Sequence, residues 1–268
     1  MHPFVALMRT YCIDYTNSHD QSVCDQIMEP GYVVHMSGFD LERDARYKPA
    51  VTDLFARAPG LGLVVHELVL NGDRLCMRFS EHASMPTAAG RELACWRGIG
   101  LYKWNGVRLT ENYVEQDYLA VRQQLDSGAP HDLEPPHLDP WVTTEPVAPD
   151  EAAEQTVRSW LERGDLLDAG HTVIDDSDHG VSVPPVVEFA DIVIDDLFSA
   201  GSRVAFHVSG TGPYRGGITD VPDEHLGQAA TLQVSGLADV ADDGAIGRLL
   251  AVTSRMGVRA QLNGSSPI

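Results

Sequence analysis

Basic residues are scarce in this chain. Nineteen Lys and Arg stand against 39 Asp and Glu among 268 residues, giving a formal net charge of −20. Such a surface repels phosphate backbones, and no Lys/Arg stripe opposes the average, so a nucleic-acid partner is excluded. Long apolar runs are missing as well. Phe4 to Met8 is the only early one, too short for a signal-peptide core, and nothing reaches the length of a membrane span. A cytoplasmic protein with no membrane association is expected. The four cysteines (Cys12, Cys24, Cys76, Cys95) contain no CxxC pair and match no zinc-ligand spacing, so they read as buried free thiols. There is no G-x-S-x-G elbow, H-E-x-x-H helix, P-loop or dinucleotide fingerprint. Neither a metal nor a cofactor is expected.

What is present is ordinary globular material, 43% hydrophobic and 22% charged. Six of the 16 prolines fall between Asp126 and Pro149, which reads as an extended linker because proline opposes both helix and central strand. Trp141 in its middle is suited to pin that linker to one domain. The chain thus divides into a domain over 1–125, a linker over 126–149, a second domain over 150–262 and a flexible tail over 263–268.

Both halves follow one plan. The first opens with apolar residues at helical spacing over Phe4–Asn17, then Asp20 as the cap of a second helix, then a short strand over Tyr32–Met36. A further helix falls within Asp44–Ala58. From Leu61 the pattern turns to strands, with Asn71-Gly72 and Asn105-Gly106 as hairpin turns. The second half repeats this with a helix over Ala152–Arg163, Gly164-Asp165 answering His19-Asp20, and four strands from Ile192 to Met256. Asp175-Asp176 and Asp242-Asp243 read as solvated turns. The fold class is α+β: two tandem cone-shaped domains, each with helices packed on a curved antiparallel sheet.

The last strand of the first domain is rich in chemistry. Over Leu109–Tyr118 the odd positions put Glu111, Tyr113, Glu115 and Asp117 on one face. Facing a pocket, close carboxylates raise one another's pKa and leave one as a proton carrier; facing water, they are a solvated outer face. Tyr11 and Tyr15, four apart on the first helix, share a face and offer hydroxyls to a ligand carbonyl, or pack in the core. Trp96 and Tyr102 alternate with Gly98 and Gly100, which leave room for a ligand or allow the sheet to bend. His66-Glu67 and His82 are further polar candidates. In the second half the matching strand carries Ala251, Thr253 and Arg255 with no carboxylate, and only His207 and Asp196 survive as candidates.

Tyr15-Thr16-Asn17-Ser18-His19-Asp20, Glu29-Pro30-Gly31-Tyr32-Val33-Val34-His35, Asn71-Gly72-Asp73-Arg74 and Val114-Glu115-Gln116-Asp117 resemble SnoaL-like polyketide cyclases of the nuclear transport factor 2-like superfamily. Ser209-Gly210-Thr211-Gly212-Pro213 and Leu232-Gln233-Val234-Ser235-Gly236 extend the resemblance to a degenerate second copy. The resemblance implies a deep apolar pocket between sheet and helices. It places Asp117 at the general acid/base aspartate and His35 at a pocket histidine. Glu67 falls near the acid/base carboxylates of epoxide-opening relatives. The three catalytic positions of ketosteroid isomerases are here Cys12, Met36 and Gly100, which argues against that mechanism. Such domains commonly pair through their sheets, so the second copy is expected to cover the first as an intrachain pseudo-dimer, with homo-oligomerisation left open.

These readings give a cofactor-independent acid/base enzyme, a cyclase, isomerase or dehydratase, acting on a small hydrophobic polyketide-like or terpenoid-like metabolite. Asp117, His35 and Glu115 are its expected catalytic residues, and Tyr11, Tyr15, Tyr113, Trp96 and Glu67 line its substrate. The alternatives are a non-catalytic small-molecule-binding or assembly module, and an epoxide hydrolase.

Overall fold

A computed structural model describes residues 1–132, 134–164, 166, 173–174 and 186–264. Asp165, Asp175-Asp176 and the last four residues of the tail lie outside them. In the first half, α1 (Pro3–Arg9) starts at His2, whose Nδ1 accepts from the Phe4 amide, and continues as a π-helical segment over Thr10–Asn17. Asp20 caps the next turn by accepting from the Ser22 amide at 2.9 Å, and a short α2 (Cys24–Ile27) follows. Then come β1 (Met28–Met36), β2 (Phe39–Glu42), α3 (Lys48–Arg57), β3 (Gly62–Leu70), β4 (Arg74–Thr87), β5 (Gly90–Trp104) and β6 (Leu109–Gln116). The sheet order is β2-β1-β6-β5-β4-β3, antiparallel except where β1 runs parallel to β6. The β1–β2 turn is Ser37-Gly38, and both residues have positive φ (55° and 80°), as a tight two-residue hairpin of this twist requires. At both Asn-Gly turns the asparagine Oδ1 accepts from the amides two and three residues on.

A helix absent from the sequence reading follows the sheet: α4 (Tyr118–Ser127), stopped by Gly128 in the left-handed region. The proline-rich stretch is tied to the edge of the first sheet. His137 and Val147 donate backbone amides to the carbonyls of Val65 and Leu70, and Trp141 of α5 (Pro140–Thr143) packs against the first core.

The second half opens with α6 (Glu151–Glu162), capped by Asp150 through the Ala152 and Ala153 amides. It continues through β7 (Val173–Ile174), β8 (Asp191–Ala200), β9 (Arg203–Pro213), β10 (Ala229–Val240), β11 (Ile246–Thr253) and α7 (Arg255–Asn263). Its sheet order is β7-β11-β10-β9-β8, again antiparallel with one parallel pair at the end. The expected strand over Ile246–Met256 ends at Thr253, because the chain turns into α7 at Ser254.

The two sheets pack on one another. Val69, Cys76, Ile99 and Leu101 from the first meet Phe198, Ala205, Leu237, Leu250 and Val252 from the second in one buried apolar cluster. The opposite face of each sheet is covered by its own helices, which makes the pseudo-dimer of the sequence reading. The same plan is visible in a pair of glycine–aromatic matches. Gly98 lies beside Phe79 in the β4–β5 pair, and Gly236 beside Phe206 in the β9–β10 pair. In each case a Cβ on the glycine would collide with the ring.

Candidate active site

Along β4 the residues Leu75, Met77, Phe79, Glu81, Ala83 and Met85 alternate onto the helix-covered face, and all are buried. Glu81 is the single charged residue in this series. Burial raises its carboxyl from an ordinary value of 4.5 to about 7, offset in part by the Trp96 indole. Its Oε2 has no hydrogen-bond partner.

Glu81 lines a cavity of about 90 Å³ between the first sheet and its helices. The π-helical segment supplies Tyr11, Tyr15 and Thr16; β1 supplies Val34 and Met36; β6 supplies Asn112, Val114 and Gln116. Tyr47, Tyr102 and Tyr118 complete a ring of phenols, and the α3 residues Ala50, Val51 and Leu54, with exposed Arg57, form the mouth. Tyr11 and Tyr47 share a hydrogen bond of 3.3 Å between hydroxyls, and the Tyr11 ring meets Tyr102 edge-on at 5.8 Å. Burial pushes the Tyr11, Tyr15, Tyr47, Tyr102 and Tyr118 phenols above their ordinary range. They therefore stay protonated and can donate at neutral pH. Glu81 is the only carboxylate among the lining residues.

The structure divides the residues expected from sequence. Tyr11 and Tyr15 do line the cavity. Asp117 does not: it is buried at the end of β6, where its Oδ1 accepts from the Ala120 amide at 2.9 Å as the N-cap of α4. Its neighbours Gln116 and Tyr118 face the cavity instead, because β6 presents its even positions there. The odd face of β6 turns to the second sheet. Glu115, fully buried, accepts from the Ser37 amide at 3.0 Å and contacts His207 Nε2 at 3.1 Å. Tyr113 packs into the inter-sheet cluster, and Glu111 pairs with Lys103.

His35 follows the same face. Its Nδ1 lies 2.7 Å from Asp40 and its Nε2 3.2 Å from Glu111, with the ring stacked on Tyr113 at 4.2 Å. An Asp117–His35 acid/base pair is thus not formed. Glu67 is bound to Arg203 of the second half at 2.7 Å. Trp96 stands behind the cavity wall, where its indole N–H donates to Gln116 Oε1 at 2.8 Å. Gly98 and Gly100 leave room for Phe79 and Tyr102 rather than directly for a ligand. The polar face of β6 meets neither a pocket nor open water, because Glu115 finds its partner in His207, 92 residues downstream.

Glu81 escaped the sequence reading. The signal was a lone glutamate in a period-two apolar row, since a charge there must be buried whichever way the sheet curves.

No family model matches this chain, and no curated protein does. Solved structures match it over about half its length. A candidate polyketide cyclase from Acidithiobacillus ferrooxidans shares 24% identity over 46% of this chain and 94% of its own, with a TM-score of 0.40. AclR, a candidate hydroxylase from Streptomyces galilaeus, matches at 15% identity, 46% and 94% coverage and a TM-score of 0.41. A SnoaL-like polyketide cyclase from Agrobacterium tumefaciens matches at 15% identity, 45% and 97% coverage and 0.39. Each covers less than half of this chain, and none of them bears on its activity. Among the described residues no cluster has the makings of a metal site, and no helix is long and apolar enough to cross a membrane.

Proposed function

We propose that the first half is an acid/base catalyst that moves a proton next to the carbonyl of a small hydrophobic molecule, the step common to cyclases, isomerases and dehydratases. The observation that carries this is Glu81, held near pH 7 by burial and unpaired at Oε2 inside an apolar cavity ringed with phenol donors. A carboxyl half ionised at neutral pH can take a proton from carbon and return it to another atom. The ketone oxygen would sit against the Tyr11–Tyr47 hydroxyl pair, whose protons stabilise the negative charge that develops there as the proton leaves. Phe79, Val34 and Val114 keep water from the carbanion-like carbon and strengthen both interactions. The closed volume suits the reacting end of a molecule, with the remainder outside it.

The test is hydrogen–deuterium exchange at the α-carbons of 2-pentanone, followed by NMR in heavy water. The protein should accelerate exchange with a rate that rises through about pH 7, and Glu81→Gln should lower it by roughly 10²–10⁴-fold. Equal exchange by Glu81→Gln and the parent sinks the assignment. Binding of the ketone without exchange indicates a carrier.

A further inference from the structure

A second concavity shares one lining residue with the cavity. Tyr118 lines the acid/base cavity, and it also lines an open groove of about 690 Å³ between the tip of the β4–β5 hairpin and α4. One wall of the groove is Tyr118, Val121, Arg122 and Leu125, a single stripe of α4 at helical spacing. The other is the hairpin tip from Pro86 to Ala89, with Glu92. Arg122 is already paired with Asp220 of the second half, so its charge is compensated without a ligand. The Thr87 hydroxyl at this tip is shielded from solvent, so the groove surface it backs is apolar.

The groove and the cavity are incomplete apart. The cavity encloses too little space for a whole metabolite, and the groove holds apolar surface but no acid/base group of its own beyond rim carboxylates. Tyr118 is the partition: its ring leans on Trp96 at 6.2 Å, and it begins α4 directly after the Asp117 cap.

We propose that the groove holds the remote end of the same substrate, and that Tyr118 is a specificity-determining residue that sets how a long ligand passes from one compartment to the other. The ligand class is an elongated, largely apolar molecule with an enolisable ketone at one end. This inference rests on the reading of the cavity as the seat of the reacting carbonyl.

Affinity along a homologous series separates the two. Dissociation constants of 2-pentanone through 2-undecanone, followed by tryptophan fluorescence or ligand-observed NMR, should fall along the series by up to about fourfold per buried methylene. Ala88→Trp, on the exposed hairpin tip, fills the groove without touching the core. It should collapse the ratio of the dissociation constants of 2-pentanone and 2-undecanone toward the value for a ligand held by its head alone. Tyr118→Leu, which widens the partition and keeps an apolar helix start, should steepen the gain among the shorter members. A ratio unchanged by Ala88→Trp, or affinities that do not rise with chain length, overturns the proposal. The exchange assay reports independently on Glu81: exchange lost in Glu81→Gln with an unchanged ratio in Ala88→Trp removes the groove and keeps the catalyst. Intact chain-length dependence without any exchange removes the catalyst.

Discussion

Glu81 is costly to the fold in proportion to its usefulness in the cavity. Its carboxyl is raised from 4.5 to about 7, so between those values the folded state holds a proton that the unfolded chain has released. Stability is therefore highest below pH 4.5 for this group and falls as pH rises to 7, by about 3 kcal/mol once the shift is converted. Glu81→Gln keeps the shape and removes the charge. At pH 8 it should raise the free energy of unfolding by as much as about 3 kcal/mol, and at pH 4 by nearly nothing. Urea unfolding at the two pH values checks both halves of this statement. A stabilised variant that has lost exchange is the signature of a strained functional group, whereas a structural carboxylate would be missed by the fold.

At the scale of elements, the end of β6 shows how one residue serves packing where a catalytic role was expected. Asp117 satisfies the first amides of α4, and its own amide donates to the Arg97 carbonyl at 2.9 Å. Without it the helix that carries Tyr118 to the cavity has an uncapped start. Asp117→Ala should cost about 1 kcal/mol of stability, typical of a lost N-cap, read as a lower urea midpoint. Asp117→Asn, which still caps, should hold stability and exchange near the parent. A loss of exchange in Asp117→Asn greater than tenfold with stability retained would return Asp117 to the chemistry. The helix is hidden in sequence because Val107–Tyr118 alternates as a strand right up to the cap, and the buried face of the helix that follows includes the polar Gln124 beside Leu119, Ala120 and Val121.

Across the whole molecule, the two sheets are fastened by ion pairs set around the apolar cluster. Arg74 with Asp196, Glu67 with Arg203 and the Asn71 side chain with the Ser199 carbonyl all cross the interface. The deepest link is His207, buried between Asp195 at 2.8 Å and Glu115 at 3.1 Å. Burial pulls its pKa down, yet the hydrogen bonds it donates to Asp195 and Glu115 outweigh that and hold it at about 9. A histidine raised from 6.5 contributes its full stabilisation below pH 6.5 and loses it as pH rises through 9, on the order of 3 kcal/mol. Stability of the parent should fall over that window. In His207→Gln it should be lower at pH 6 and flat from 6.5 to 9, because the two carboxylates then lack their cation at every pH and no imidazole is left to titrate. A parent whose urea midpoint is constant from pH 6.5 to 9 would mean that the imidazole is neutral in the fold.

The division between sequence and tertiary structure follows from where each signal resides. Alternation along the strands, the Asn-Gly turns, the Asp20 cap and the proline-rich break are local, so they specified two α+β halves and placed Tyr11 and Tyr15 on the inward side of the first helix. The choice between the two faces of the first sheet is not local. Both faces are buried, one by helices and one by another sheet, so period two alone leaves open which of them encloses a cavity. His35, Glu111 and Glu115 went to the inter-sheet face because β1 lies beside β6 and His207 arrives from the second half. Glu81 went to the cavity because the same packing turned the odd face of β4 toward the helices. Sequence determined which residues had to be buried together; only the docking of the two sheets decided which of those carboxylates found a partner and which was left free to hold a proton.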